Sequence, residues 1–276
     1  MSPDANTHTA TTVQTPAGRL HVQLIGAGPP AVLWHSLFVD SSTWCRVRDT
    51  LAEHRQLIII DGPAHGQSEP LTHGFTENDC ATAALAVLDQ LAVSGPVDWV
   101  GNAWGGHVGI IFAATEPQRC RSLIAVGTPV RALSGPEHRK IALLSAIYRA
   151  VGPVPPLVKI LREALLGKDA DPQAYHIVGD AFRHANRRAM ATAIRSLSLN
   201  RPDLSPLLPR ITAPTLFVTG ENDVMATVSE ARDAADQLSN GSVVAVPGAG
   251  HITPLLQNAP ALATLIVEFW AKQSIG

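Results

Sequence analysis

Seven short apolar or β-branched runs punctuate this chain, at Leu20–Ile25, Ala31–Trp34, Leu57–Ile60, Val97–Val100, Leu123–Val126, Leu216–Val218 and Val243–Val246. Several are apolar at every position. A strand with one face in water alternates apolar and polar residues, so unbroken runs mark strands covered on both faces, as in a parallel sheet between helix layers. Between them lie longer helical patterns. One is Thr76–Leu91, where Thr76 is placed to cap the first turn and Asp79 holds the reciprocal position of a capping box. Strand and helix alternating in this way predict an α/β fold.

The alternation stops between Arg131 and Arg210. That stretch has helical periodicity (IALLSAIYRAV, PLVKILREALL, RRAMATAIRSL), several prolines and no strand pattern. It reads as a helical insertion between two core strands, so residues 13–130 and 211–276 form the predicted core and 131–210 the insertion. Residues 1–12 (MSPDANTHTATT) read as a disordered polar tail. The insertion carries 13 Lys/Arg against 6 Asp/Glu, a balance of +7, whereas the rest of the chain carries −9.

Composition narrows the function classes. A formal charge of −2 over 276 residues argues against the basic surface that nucleic acid selects. No apolar stretch approaches the roughly 20 residues that span a bilayer, so no membrane partner is expected. The start of the chain lacks the basic and apolar segments of a secretory signal. Three scattered cysteines, Cys45, Cys80 and Cys120, suit neither a disulfide framework nor a zinc site. A reducing, cytoplasmic setting is the expectation, with no metal.

The most informative segment is Val97–Gly109, VDWVGNAWGGHVG. An apolar strand gives way to a helix beginning near Trp104, with glycines at 101, 105 and 106 that allow a sharp turn and a helix start close to neighbouring strands. This is the strand-turn-helix pattern GxSxG of a nucleophile elbow, with Ala103 at its centre. Other segments converge on it. The loop WHSLFVDSSTW (Trp34–Trp44) follows a strand and can aim the N–H of Leu37 or Phe38 at the same point as the N–H of Trp104, forming an oxyanion hole. The loop DGPAHGQSEP (Asp61–Pro70) reads as scaffold, with His65 a loop residue rather than a base. Near the C-terminus, VTGENDV places Asp223 after one strand and VPGAGHITP places His251 after the next. Ligands of open parallel sheets sit at the carboxyl ends of the strands, so Ala103, Asp223 and His251 are expected to meet there.

These motifs, in this order, resemble the α/β-hydrolase superfamily from about Val13 to Lys272. The loops look most like those of small esterases, enol-lactonases, haloperoxidase-like enzymes and C–C bond hydrolases. The resemblance implies a mostly parallel twisted sheet flanked by helices, with 131–210 as a helical cap. It also implies roles: position 103 as nucleophile, His251 as general base and acid, Asp223 as its orienting carboxylate, and Leu37 with Trp104 as oxyanion donors. His35, Phe38, Trp104, Tyr148 and Tyr175 are the candidate substrate contacts. No cofactor is implied, and the partner is a small molecule. His107 has no matching role and reads as a packing or surface residue. Ser36 and Ser41 lie near the site but off the strained turn.

An alanine has no group that attacks a carbonyl. Either it replaces a nucleophilic serine in an inactive form, or it is native and the protein binds a ligand or catalyses a step needing only His251 and the oxyanion hole. The otherwise complete apparatus favours the first. The replaced residue is open as well, because GNxWGG also fits a dehalogenase or epoxide hydrolase with an aspartate nucleophile, for which Tyr148 and Tyr175 are the available cap acids. The HSLF loop favours serine. The aliphatic insertion suggests an apolar, medium-sized substrate, an ester or lactone, and its positive charge hints at tolerance for a carboxylate.

Overall fold

The computed structural model describes residues 8–248 and 250–273 of the chain. All seven apolar runs are strands: β2 (Gly18–Ile25), β3 (Pro30–Trp34), β4 (Gln56–Ile60), β5 (Val97–Asn102), β6 (Cys120–Val126), β7 (Thr215–Gly220) and β8 (Gly241–Val246). An eighth, β1 (His8–Thr15), precedes them and pairs antiparallel with β2. The expected disordered tail is therefore corrected at residues 8–12, which belong to β1; residues 1–7 lie outside the described residues. The strand was hidden because it lies at the sheet edge with only Val13 and Thr15 buried, so it carries no apolar run.

The sheet order is β1-β2-β4-β3-β5-β6-β7-β8, with β1 and β2 antiparallel and the remainder parallel. From β3 the chain steps to β4 on one side and then returns to β5 on the other. The carboxyl ends of β3 and β5, paired at Trp34 and Gly101, flank this switch point, where crevices of doubly wound sheets open. Alternate strand residues feed two cores. Val32, Trp34, Ile58 and Trp99 face one side, with α2 (Glu77–Gln90) and α3 (Trp104–Thr115). Leu33, Ile59, Val100 and Ile124 face the other, with α1 (Arg48–Ala52) and the last helix of the chain. Burial on both faces explains why these strands read as unbroken apolar runs. Thr76 and Asp79 form the reciprocal capping box at the start of α2.

Between β6 and β7 lie α4 (Gly135–Val151), α5 (Pro155–Leu166), α6 (Pro172–His184) and α7 (Arg187–Ala193), which runs into a π turn at Ile194–Leu199. Ser134 with Glu137, Asp171 and Asn186 cap three of these helices, and Tyr148, Val158, Phe182, Met190 and Ile194 form the insertion's own small core. Fixed ties hold it to the sheet domain. Arg46 grips Asp171 through both guanidinium nitrogens at 2.8 and 2.9 Å, and its hydrogen bonds hold the Asp171 carboxyl down at about 2. Ile252 N–H donates to Leu165 O at the end of α5 (3.0 Å), tying the insertion to the segment beside His251. After β7 come α8 (Val228–Ala235), α9 (Thr253–Leu256) and α10 (Ala259–Gln273). Among the described residues no helix is long and apolar enough to cross a membrane.

Candidate active site

Ala103 sits between β5 and α3 at φ 48° and ψ −104°, a conformation costly for any residue with a side chain. Its surroundings hold it there. Its N–H donates to Val126 O (2.8 Å), and its carbonyl accepts from Gly106 N–H (2.9 Å) and His107 N–H (3.1 Å). The neighbouring glycines permit the close approach: a Cβ on Gly105 would lie 2.0 Å from Trp34 O, and one on Gly101 2.1 Å from Gly105 O. The turn thus presents the side chain of residue 103 to a cavity rather than to the core.

Asp223 and His251 come from the loops after β7 and β8. The Asp223 Oδ2 atom accepts a hydrogen bond from His251 Nδ1 at 2.9 Å, while Oδ1 accepts from the N–H groups of Met225 (2.8 Å) and Ala226 (3.0 Å). Burial alone would raise the Asp223 carboxyl, but the His251 charge and these hydrogen bonds outweigh it and hold the group below the ordinary carboxylate range. The carboxylate therefore fixes His251 with the proton on Nδ1. That leaves Nε2, which has no partner among the described residues, as the basic atom, and His251 lines the same cavity as Ala103. Glu221, two residues before Asp223, is exposed. Gly127, at the end of β6, makes room for the pair, since a Cβ there would meet His251 O at 2.5 Å.

The loop after β3 brings Leu37 and Phe38 to this cavity, with Phe38 in the left-handed region at φ 75°. The backbone N–H groups of Leu37 and Trp104 have no hydrogen-bond partner among the described residues, as an oxyanion hole requires. Asp61 steadies the loop, accepting from Ser41 N–H (2.8 Å) with one oxygen and from Gln67 N–H (2.9 Å) with the other. The Asp61–Pro70 segment is thus scaffold. Beneath, the Trp104 indole packs edge-on against Trp34 (5.5 Å between centroids) and tilted against His65 (4.9 Å).

The cavity measures about 360 Å³ and is roofed by aliphatic and aromatic side chains of α4, α5, α6 and the π turn. Phe182 stacks on Tyr148 (4.9 Å) and meets Phe38 edge-on (5.8 Å), so three rings bridge the insertion and the sheet domain. Phe38, Trp104 and Tyr148 are on the wall as expected. Two expected substrate contacts are not. His35 is fully buried beneath the loop, its Nδ1 donating to Ser36 O (2.7 Å) and its Nε2 accepting from Gly62 N–H (2.9 Å). Burial pushes it down to about 4, so it is a neutral structural residue. Tyr175 packs elsewhere in the insertion and spends its hydroxyl on Gly167 O.

Sequence reasoning read His107 as a packing or surface residue and did not single out several other wall residues. His107, one helical turn past Ala103, is buried on the cavity wall, with Nδ1 2.9 Å from Glu77 Oε1 and Nε2 2.7 Å from Pro129 O. Its i, i+4 spacing from Ala103 is the sequence signal that points to that wall. Lys140 and Arg201 supply positive charge and Leu144, Leu161 and Ile194 apolar surface, none of it marked by a motif. A second, more polar recess of about 560 Å³ shares His251 and is lined by Glu163, Lys168, Asn222 and Asn258.

Comparison with known proteins follows this geometry. A curated pimeloyl-[acyl-carrier protein] methyl ester esterase of Xanthomonas oryzae pv. oryzae is 26% identical over 92% of this chain and 99% of its own. A 2-hydroxy-6-oxononadienedioate/2-hydroxy-6-oxononatrienedioate hydrolase of Klebsiella pneumoniae is 29% identical over 73% of this chain and 70% of its own. The enol-lactonase of Burkholderia xenovorans LB400 superposes with a TM-score of 0.86 over 95% of this chain and all of its own, at 24% identity. The model of the alpha/beta hydrolase family matches residues 31–265, and with that match spanning β4 to β8, the insertion and the His251 loop, this chain belongs to the alpha/beta hydrolase family.

Proposed function

We propose that the site is that of a serine-type hydrolase of an ester or lactone of a mainly apolar small molecule, with Ala103 standing where the serine nucleophile acts. The observation that carries this reading is the strained backbone at residue 103, held over a cavity that also receives His251 and two unpartnered N–H groups. Backbone strain of this kind clusters at active sites. The esters and ketodienoates named for the curated relatives support an acyl-type substrate, and the apolar roof supports a hydrophobic body.

With serine at position 103, His251 Nε2 takes the hydroxyl proton as oxygen attacks the carbonyl carbon, and Asp223 stabilises the imidazolium. The N–H groups of Leu37 and Trp104 hold the oxyanion. The imidazolium then protonates the leaving alcohol, and a water activated by His251 releases the acid. The aspartate-nucleophile alternative is weaker because Tyr175 spends its hydroxyl on Gly167 O, leaving Tyr148 as the one tyrosine on the wall.

Ala103→Ser assayed against aryl esters and lactones tests the proposal. A gain in kcat/KM on the order of 10³-fold or more over the alanine protein is expected. Bound substrate with no gain across the panel contradicts it, and a gain with Ala103→Asp instead supports the aspartate alternative. A second reading, a ligand-binding member with native alanine, is favoured by Ala103 itself. It expects no gain with either substitution.

A further inference from the structure

The chain as it stands lacks a nucleophile but retains a base and an oxyanion hole. His251 Nε2 is unpartnered among the described residues and faces the cavity, with its proton fixed on Nδ1 by Asp223 at 2.9 Å. In a serine hydrolase the nearest acid to that nitrogen is the serine hydroxyl. Here residue 103 on the same cavity is alanine, which has no acidic proton, so the lone pair is free for another proton. Leu37 and Trp104, buried residues whose backbone N–H groups have no acceptor among the described residues, line the same cavity. A buried donor left unpaired is costly, and a ligand oxygen that gains negative charge relieves that cost most.

We infer that the Ala103 protein catalyses proton transfer at a carbon next to a carbonyl, acting on apolar ketones or esters that fit a cavity of about 360 Å³. The carbonyl oxygen sits between the Leu37 and Trp104 N–H groups. The Cα–H bond breaks, its proton passes to His251 Nε2, its electron pair becomes the new C=C bond, and the carbonyl π pair moves onto oxygen. Asp223 stabilises the imidazolium while the two N–H groups hold the enolate. Return of the proton from Nε2 to carbon restores base and ketone, so the net result is exchange or isomerisation at Cα without any co-reactant. With no side-chain oxygen at position 103, the carbonyl carbon is not captured and no acyl-enzyme competes. The mainly apolar wall keeps bulk water from the enolate, and in that low-dielectric setting its hydrogen bonds to the protein are stronger than they would be in water. This activity does not depend on a serine having occupied the elbow.

Phenylacetone in D₂O, with loss of its benzylic C–H signal followed by proton NMR, provides the test. The Ala103 protein is expected to exchange these protons ~10²-fold faster than buffer at the same pD, the lower range of general-base catalysis. His251→Ala and His251→Gln are expected to return the rate to that of buffer. Asp223→Asn is expected to lower it at least tenfold while His251 remains. Circular dichroism confirms that the variants fold, and if His251→Ala does not, His251→Gln decides. Exchange at the buffer rate with phenylacetone up to its solubility limit overturns the inference, as does acceleration that survives loss of the His251 imidazole.

Discussion

The sheet domain and the helical insertion meet at one cavity, but they build their halves in different ways. On the sheet side each reactive group is fixed by backbone. Ala103 is held by Val126 O, Asp223 by two N–H groups, and Leu37 by a loop tied to Asp61. On the insertion side the wall is made of side chains, such as Leu144, Leu161 and Phe182, whose shape rests on packing within a small separate core. On the proposed reading, reaction belongs to the sheet domain and choice of substrate to the insertion. Changes on the first side should abolish turnover on all substrates, and changes on the second should reorder them.

The largest expected effect comes from the base. In Ala103→Ser protein, His251→Ala should lower kcat by about 10⁴-fold or more on every ester tested, measured by steady-state kinetics. A loss confined to some esters would break the division of labour.

A smaller effect concerns the platform under the elbow. His35 and His65 are buried and neutral. Burial lowers His35 to about 4, while burial together with the His35 charge lowers His65 to about 3. Both values lie below the unfolded value of about 6.5, so between that pH and the folded values the unfolded chain binds more protons and stability falls as pH falls. At pH 5 this amounts to about 2 kcal/mol for each histidine relative to pH 7. Urea unfolding at the two pH values measures it. Equal stability at both would show that the pair is not held neutral.

The smallest effect is on the insertion. Phe182→Leu opens the ring stack between Tyr148 and Phe38. In Ala103→Ser protein it should change the kcat/KM ratio between a long-chain and a short-chain acyl ester by up to about tenfold, the scale of a methylene or two in an apolar pocket. Equal loss on both esters would place Phe182 on the side of the machinery.

This same division governed what was legible in the sequence. The β5–α3 turn was readable because its geometry demands glycine at 101 and 105, where a Cβ would collide with backbone. Asp223 and His251 were readable because each follows an apolar strand whose end fixes its place. β1 was not, because an edge strand of polar and threonine residues has no apolar run to announce it. Nor was the cavity wall. His35 is adjacent to the reactive loop in sequence yet turned inward by hydrogen bonds to Ser36 and Gly62, whereas Lys140 and Arg201 reach the wall from far along the chain. Tyr148 and Tyr175 had equal standing as cap tyrosines, but Tyr148 stacks on Phe182 at the cavity whereas Tyr175 donates its hydroxyl to Gly167 O.

The central claim is that residue 103 is the nucleophile position of an acyl-hydrolase site. The most direct test is intact-protein and peptide mass spectrometry after treatment with paraoxon, which transfers a diethylphosphoryl group to an activated serine. The account expects no adduct on the Ala103 protein, a single adduct on the introduced residue of Ala103→Ser, and loss of that adduct when His251→Ala is added. An Ala103→Ser protein that folds yet stays unlabelled, or that is labelled at Ser36 or Ser41 instead, contradicts it.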